Sequence, residues 1–267
     1  MLPFIIKAQF KEPQTGDTTY YKTLIPETKQ TLLKNMSMIA NFRVAERNEF
    51  KDGQYTGSRF KMEQFRLEIK GQITDKVYFR FRDHYTSAQE PQSIDGISRS
   101  TDLAYIRVDL SKKFSMSAGK MCADWGAYEF DYSPLDIYEY SDIIQYSDNF
   151  LAGVGFSYQS NKRHQFTFQL LNSRTKTFYE LYGNQPNHIE SKAPLAIIAN
   201  WRGSFFDGKI NTIWSYAIHT EAQKTFMHYL AFGNQLKWNK FTLEYDFKWS
   251  KEDLDRSGII SEQIHDN

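Results

Sequence analysis

Arg43, Arg47, Arg66, Lys70, Arg80, Arg82 and Arg107 each fall on the polar parity of a short segment in which every other residue is apolar. Successive side chains of a strand point to opposite faces, so each segment sends its cations to one side. A guanidinium is a planar fork that binds phosphate or carboxylate through two hydrogen bonds and stays charged at any physiological pH. Such groups lining one water-filled space would attract anions and exclude cations. Only Glu68 and Asp109 are acids of matching parity on the same segments. In the other reading, acids from residues 124–149 pair with these cations and the charges merely fill an interior. The sequence leaves both open, and later segments are mixed, with Glu244, Asp246 and Lys248 on one parity.

Other chemistry is sparse. The histidines at 84, 164, 188, 219, 228 and 265 show no metal-ligand spacing, and no His-Glu-x-x-His occurs. Gly153-Val154-Gly155 lacks the third glycine and the following helix of a dinucleotide site. Its glycines read instead as strand positions that allow close packing or make room for a ring on the next strand. No Gly-x-Ser-x-Gly elbow and no Walker pattern is present. A hydrolase with Ser and His on a rim is an open reading, since triads need no sequence proximity. No catalytic residue, metal site or cofactor is expected. The single Cys122 excludes an internal disulfide, and a net charge of +1 gives no global field for nucleic acid.

The elements that must carry these cations are strands. Residues 241–249, Phe-Thr-Leu-Glu-Tyr-Asp-Phe-Lys-Trp, alternate strictly between apolar and polar, and the same pattern returns along most of the chain. Segments 38–47, 60–74, 76–86, 102–110, 114–118, 152–158, 166–170, 194–204, 210–218, 226–238 and 241–249 follow it. Tight turns separate several pairs, at 51–53, 74–76, 111–113, 160–162, 206–209 and 239–240. Short connections alternate with long ones, and several strands approach the roughly 9 to 11 residues that cross a bilayer at a tilt. No apolar run nears the roughly 20 residues of a spanning helix. The 17 Tyr and 21 Phe are more than a soluble domain of this size usually carries, and membrane barrels use such rings in interfacial girdles. The fold expected is all-β, an antiparallel transmembrane β-barrel.

One domain is read. Residues 1–36 form a polar N-terminal segment interrupted by Pro3, Pro13 and Pro26, and 37–267 form a partial barrel. Met1 to Ile6 is too short for a complete secretory signal, and the chain reads as unfinished after Asn267. Residues 124–149 drop the alternation and gather acids and tyrosines. They form a long structured loop, either folded into the mouth of the barrel or packed outside it. In the first case Trp125, Tyr128, Glu129, Asp131 and Tyr138 are the residues that would narrow the passage.

The stretch Phe60-Lys-Met-Glu-Gln-Phe-Arg-Leu-Glu-Ile-Lys-Gly71 is followed by Val77-Tyr-Phe-Arg-Phe-Arg-Asp83. Ala118-Gly-Lys120 and Trp125-Gly-Ala-Tyr-Glu129 come after it. Together they resemble the porin O/P family, most closely its Bacteroidetes members, over about residues 37 to 250. The resemblance implies an outer-membrane diffusion channel in contact with lipid, a homotrimer, and passage of small anionic or polar solutes, phosphate in some members. It also implies roughly 16 strands when complete, of which about 10 or 11 are legible here. Arg66, Lys70, Arg80 and Arg82 match the basic lining of the anion-selective members. The alternative function is a surface β protein that binds glycans or other ligands through its aromatic loops.

Overall fold

Tight turns dictate the topology. Asp52 and Gly53 both have positive φ, 52° and 79°, the conformation whose twist matches that of the strands it joins. Asn239 repeats this at 53°, and Phe206, Asp207 and Gly208 turn the chain in the same region of backbone space. Each such turn returns the next strand alongside its predecessor. The computed structural model describes residues 36–86, 94–132, 137, 139–145, 147–185 and 187–255. Within them eleven antiparallel strands pair in strict sequence order in one sheet.

The strands are β1 (Met36–Lys51), β2 (Gln54–Thr74), β3 (Val77–His84), β4 (Thr101–Asp109), β5 (Phe114–Cys122) and β6 (Phe150–Asn161). They continue as β7 (His164–Asn172), β8 (Leu195–Phe205), β9 (Ile210–Ala222), β10 (Thr225–Trp238) and β11 (Phe241–Lys251). All eleven alternating segments are strands. The first two are longer than the alternation suggests, at 16 and 21 residues, because their distal halves are joined across β-bulges that break the period. At one end of the sheet lie the tight turns at 75–76, 110–113, 162–163, 206–209 and 239–240. The other end carries the long connections 85–100, 123–149 and 173–194 together with the turns at 52–53 and 223–224.

Short helices punctuate the long connections. α1 (Tyr128–Asp131) and α2 (Asp142–Gln145) lie in 123–149, and α3 (Phe178–Tyr182) lies in 173–194. α3 starts with a reciprocal capping box between Thr177 and Glu180. Its Phe178 and Tyr182 pack against Ala222 and Leu254.

One face of the sheet has no covering layer. Phe60 is 80% exposed and Trp238 72%, and Phe241, Leu243, Phe247 and Trp249 are exposed on the same side. A belt of rings crosses this face: Trp201 meets Trp214 at 5.2 Å, Trp214 meets Phe232 at 5.1 Å, and Phe232 meets Phe247 at 6.4 Å. The opposite face carries residues 123–132 and 139–145. Tyr140, next to Ser141 whose N–H bonds to Glu129, lies in electrostatic reach of Arg66 and Arg82 on β2 and β3. Glu129 in turn pairs with Lys248 on β11. A flat sheet would hold β2 and β11 about 43 Å apart at the usual strand spacing. The sheet therefore curls around the segment, and the face that receives it is concave.

Candidate functional site

The concave face of β1–β4 is built from ion pairs. Its cations meet acids of their own strands: Arg43 and Arg47 meet Glu63 at 3.3 and 2.7 Å. Glu68 takes Lys70 at 3.2 Å and Arg80 at 3.1 Å. Asp102 takes Arg82 at 3.1 Å and Arg66 at 3.9 Å, and Arg107 meets Asp109 at 3.1 Å. Among the described residues these seven cations thus share four carboxylates, so positive charge is in excess. Residues 124–149, which the sequence allowed as the neutralising partner, supply none of these acids. Arg82 also stacks over the Phe150 ring at 5.0 Å, and Arg107 over Tyr78 at 4.9 Å.

The strand register explains two cations that alternation misses. Counting outward from Arg66 puts Arg59 and Lys61 on the apolar parity, but the bulge at Glu63 inserts one residue and flips it. Arg59 then lies opposite Arg47 and Lys61 opposite Ala45, on the concave face. Arg59 pairs with Glu49, while Lys61 has no ion pair among the described residues. Glu63 occupies the bulge itself, which brings it to Arg43 and Arg47. A bulge leaves no period for a sequence to show.

The concave face of β7–β11 is built differently, because the chain from Asp124 to Glu129 lies across it. Gln169 on β7 accepts from the Asp124 N–H at 2.7 Å and donates to the Cys122 carbonyl at 3.0 Å. Asn200 on β8 donates to the Asp124 carbonyl at 3.0 Å, and Ser215 on β9 donates to the carbonyls of Trp125 and Gly126. On β10 Gly233 leaves the space: a Cβ there would stand 2.9 Å from that of Ala127. Asp246 on β11 accepts from the N–H groups of Tyr128 and Glu129 at 3.2 and 2.9 Å. The rungs advance one strand at a time. The last of them, on β11, holds the start of α1.

Side chains of the segment complete the anchoring. Trp125, 1% exposed, meets Tyr229 edge to face at 4.5 Å and sits in a cluster with Leu171, Ile198, Ala217 and Ala231. Arg202 on β8 forks onto Asp131, and binds Asp124 at 2.9 Å. Burial raises the Asp124 carboxyl above its usual range against the pull of Arg202. Glu129 goes the other way: burial opposes its charge, but hydrogen bonds from Lys248 and Ser141 prevail and hold it below the usual carboxylate range. Tyr128 is pushed up to about 12 by burial and the nearby Glu244 carboxylate. Trp125 is thus an anchor, whereas Glu129 and Asp131 are spent in pairs with Lys248 and Arg202. Tyr138 lies outside the described residues.

Tight turns at one end, long connections at the other, an uncovered belt of rings and a polar concave face carrying a folded-in segment are the parts of a channel wall. The model of a known family, phosphate-selective porin O and P, matches residues 40–263. The chain belongs to that family. No curated protein matches it. As a porin of the outer membrane it presents its ring belt to lipid and is not an enzyme, so the hydrolase and glycan-binding readings fall away. The family implies a barrel; among the described residues of this porin, β1 and β11 are the two unpaired edges of the sheet.

The rungs Gln169, Asn200, Ser215 and Asp246 escape sequence reading because amides and hydroxyls fit any wet face. One signal was present. Ala196, Ile198, Ala217, Met227 and Ala231 occupy the supposedly wet parity of β8–β10, and all are buried. Small apolar residues in a water-filled lumen indicate that something packs on them.

Proposed function

We propose that this porin lets small anions diffuse passively through its lumen, phosphate-like oxyanions being the class its guanidinium groups fit best. The observation that carries this reading is the excess of cations over carboxylates on the concave face of β1–β4. Arg43, Arg47, Arg66, Lys70, Arg80, Arg82 and Arg107 raise the local anion concentration there. Each acid is shared or adjacent, so a passing anion replaces part of an ion pair rather than meeting a bare charge. Residues 123–132 narrow the passage from the opposite wall, with Tyr128, Glu129 and Asp131 on the segment and Trp125 beneath it. Homotrimeric assembly is the state expected from the family resemblance.

The test is electrical. In planar bilayers with a KCl gradient, the reversal potential should favour chloride, and added phosphate should compete with the chloride current. A reversal potential favouring potassium would defeat the anion reading while leaving the channel intact. Light scattering of the detergent-solubilised protein would give the trimer or exclude it.

A further inference from the structure

The end of the sheet with the tight turns is strongly basic. Lys76, Lys112, Lys113, Lys162, Lys209 and Lys240 stand on or beside its five turns, all exposed. None of the six has an ion pair among the described residues; the acids beside them are Asp75, Asp109 and Asp207, of which Asp109 is taken by Arg107 at 3.1 Å and Asp207 by Arg163 at 2.7 Å. At the other end, residues 123–149 contain acids and neither Lys nor Arg. The other end is mixed, since its connections and turns also carry the exposed Lys176, Lys192 and Lys224.

Directly beside this rim, on the lipid-facing side, is an apolar groove of about 510 Å³. Phe114, which follows Lys113, lies opposite Tyr158, which lies opposite Phe166, which lies opposite Trp201. These rings form the rim-side wall of the groove, and Phe156 and Trp214 line it as well. On the concave side of the same turn lies a polar cleft of about 660 Å³, lined by Lys76, Lys112 and Lys113 together with Asp75, Arg107 and Asp109. Exposed turn lysines therefore adjoin the rim-side end of the apolar trough at the Lys113–Phe114 step. That juxtaposition matches a molecule with an anionic head and hydrocarbon tails.

We infer that this rim binds an anionic glycerophospholipid, with its phosphate at Lys112, Lys113 and Lys162 and an acyl chain along the groove. Tight turns of outer-membrane barrels face the periplasm, where the leaflet in contact with them is phospholipid. Clustered lysines at a membrane surface bind acidic headgroups additively, and hydrocarbon in the groove adds apolar contact. The inference rests on membrane placement and is independent of which solute the lumen passes.

The experiment is lipid retention by the full chain, folded in mixed phosphatidylglycerol and phosphatidylcholine bilayers, extracted in mild detergent and weighed by native mass spectrometry. Phosphatidylglycerol should be retained well above its share of the mixture. The triple variant Lys112→Gln, Lys113→Gln, Lys162→Gln should lose roughly tenfold or more of that enrichment, and the matching Lys→Arg triple should keep it. These side chains are exposed turn residues, so folding is checked by an unchanged heat-modifiable gel shift; Trp214→Ala provides a second arm that should shorten retention without touching charge. Equal retention of both lipids by the wild type would overturn the inference. So would full enrichment in the glutamine triple, or cross-links between copies at Trp214 showing the groove filled by another porin chain.

Discussion

The two walls of the concave face follow the same alternating pattern and use it for opposite purposes. On β1–β4 the polar parity carries guanidinium and carboxylate groups that bond to one another, Arg43, Arg47, Lys70, Arg80 and Arg107 partly exposed and Glu68 and Asp102 buried beneath them. On β7–β11 it carries amides, a hydroxyl, a glycine and Asp246, all spent on holding the backbone of residues 124–129. Cations paired within the wall are therefore gathered on one side, and the other wall gives up its polarity to anchor the segment that faces it. A polar strand face is not by itself a pore lining; what packs on it decides.

The sharpest break of this contrast is Asp246→Ala. It removes two charge-assisted bonds to the segment, each worth about 1.5–3 kcal/mol. The segment should come away from β11, seen as a higher single-channel conductance and faster proteolysis within 124–149. Gly233→Val should act alike, since its side chain would enter the space of Ala127. If both variants keep wild-type conductance, the segment does not narrow the passage.

On the charged wall, Glu68→Gln leaves Lys70 and Arg80 without their shared carboxylate and should move the reversal potential further toward chloride. Arg80→Gln should move it back by a comparable amount. No shift in either would mean that these charges do not face the permeating ion.

A pH series separates the walls more gently. Glu129 is held below the usual carboxylate range when docked, so its contribution to docking is present above that range and is lost as pH falls through the lowered value. Conductance should rise on that acid limb, and Glu129→Gln should flatten it. Asp124 has the opposite sign, because burial raises its carboxyl: its contribution is best when protonated and weakens as pH rises through the raised value. Asp124→Asn should remove that part of the profile. The smallest expected effect is that of Lys61→Gln, a slight loss of anion preference, since the side chain is exposed and well screened.

Much of the fold could be read from residues alone. Phe241 to Trp249 shows its two faces in a single line of text, and the Asp52-Gly53 and Asn239-Lys240 turns announce their hairpins. α3, with its Thr177–Glu180 capping box, was added by the structure alone. The cationic parity of β2, β3 and β4 was also legible, because period two survives within each segment.

Alternation determined the strands, their order and which side of each meets lipid, since pleat geometry ties side-chain direction to sequence position. Only the tertiary structure decided the rest: that Glu63, through a bulge, serves Arg43 and Arg47, that Asp102 serves both Arg66 and Arg82, and that residues 124–129 cross β7 to β11, held by polar side chains on four of the five strands. Those contacts join residues up to 118 positions apart, and they depend on strand register and sheet curl. Neither leaves a local trace in the chain.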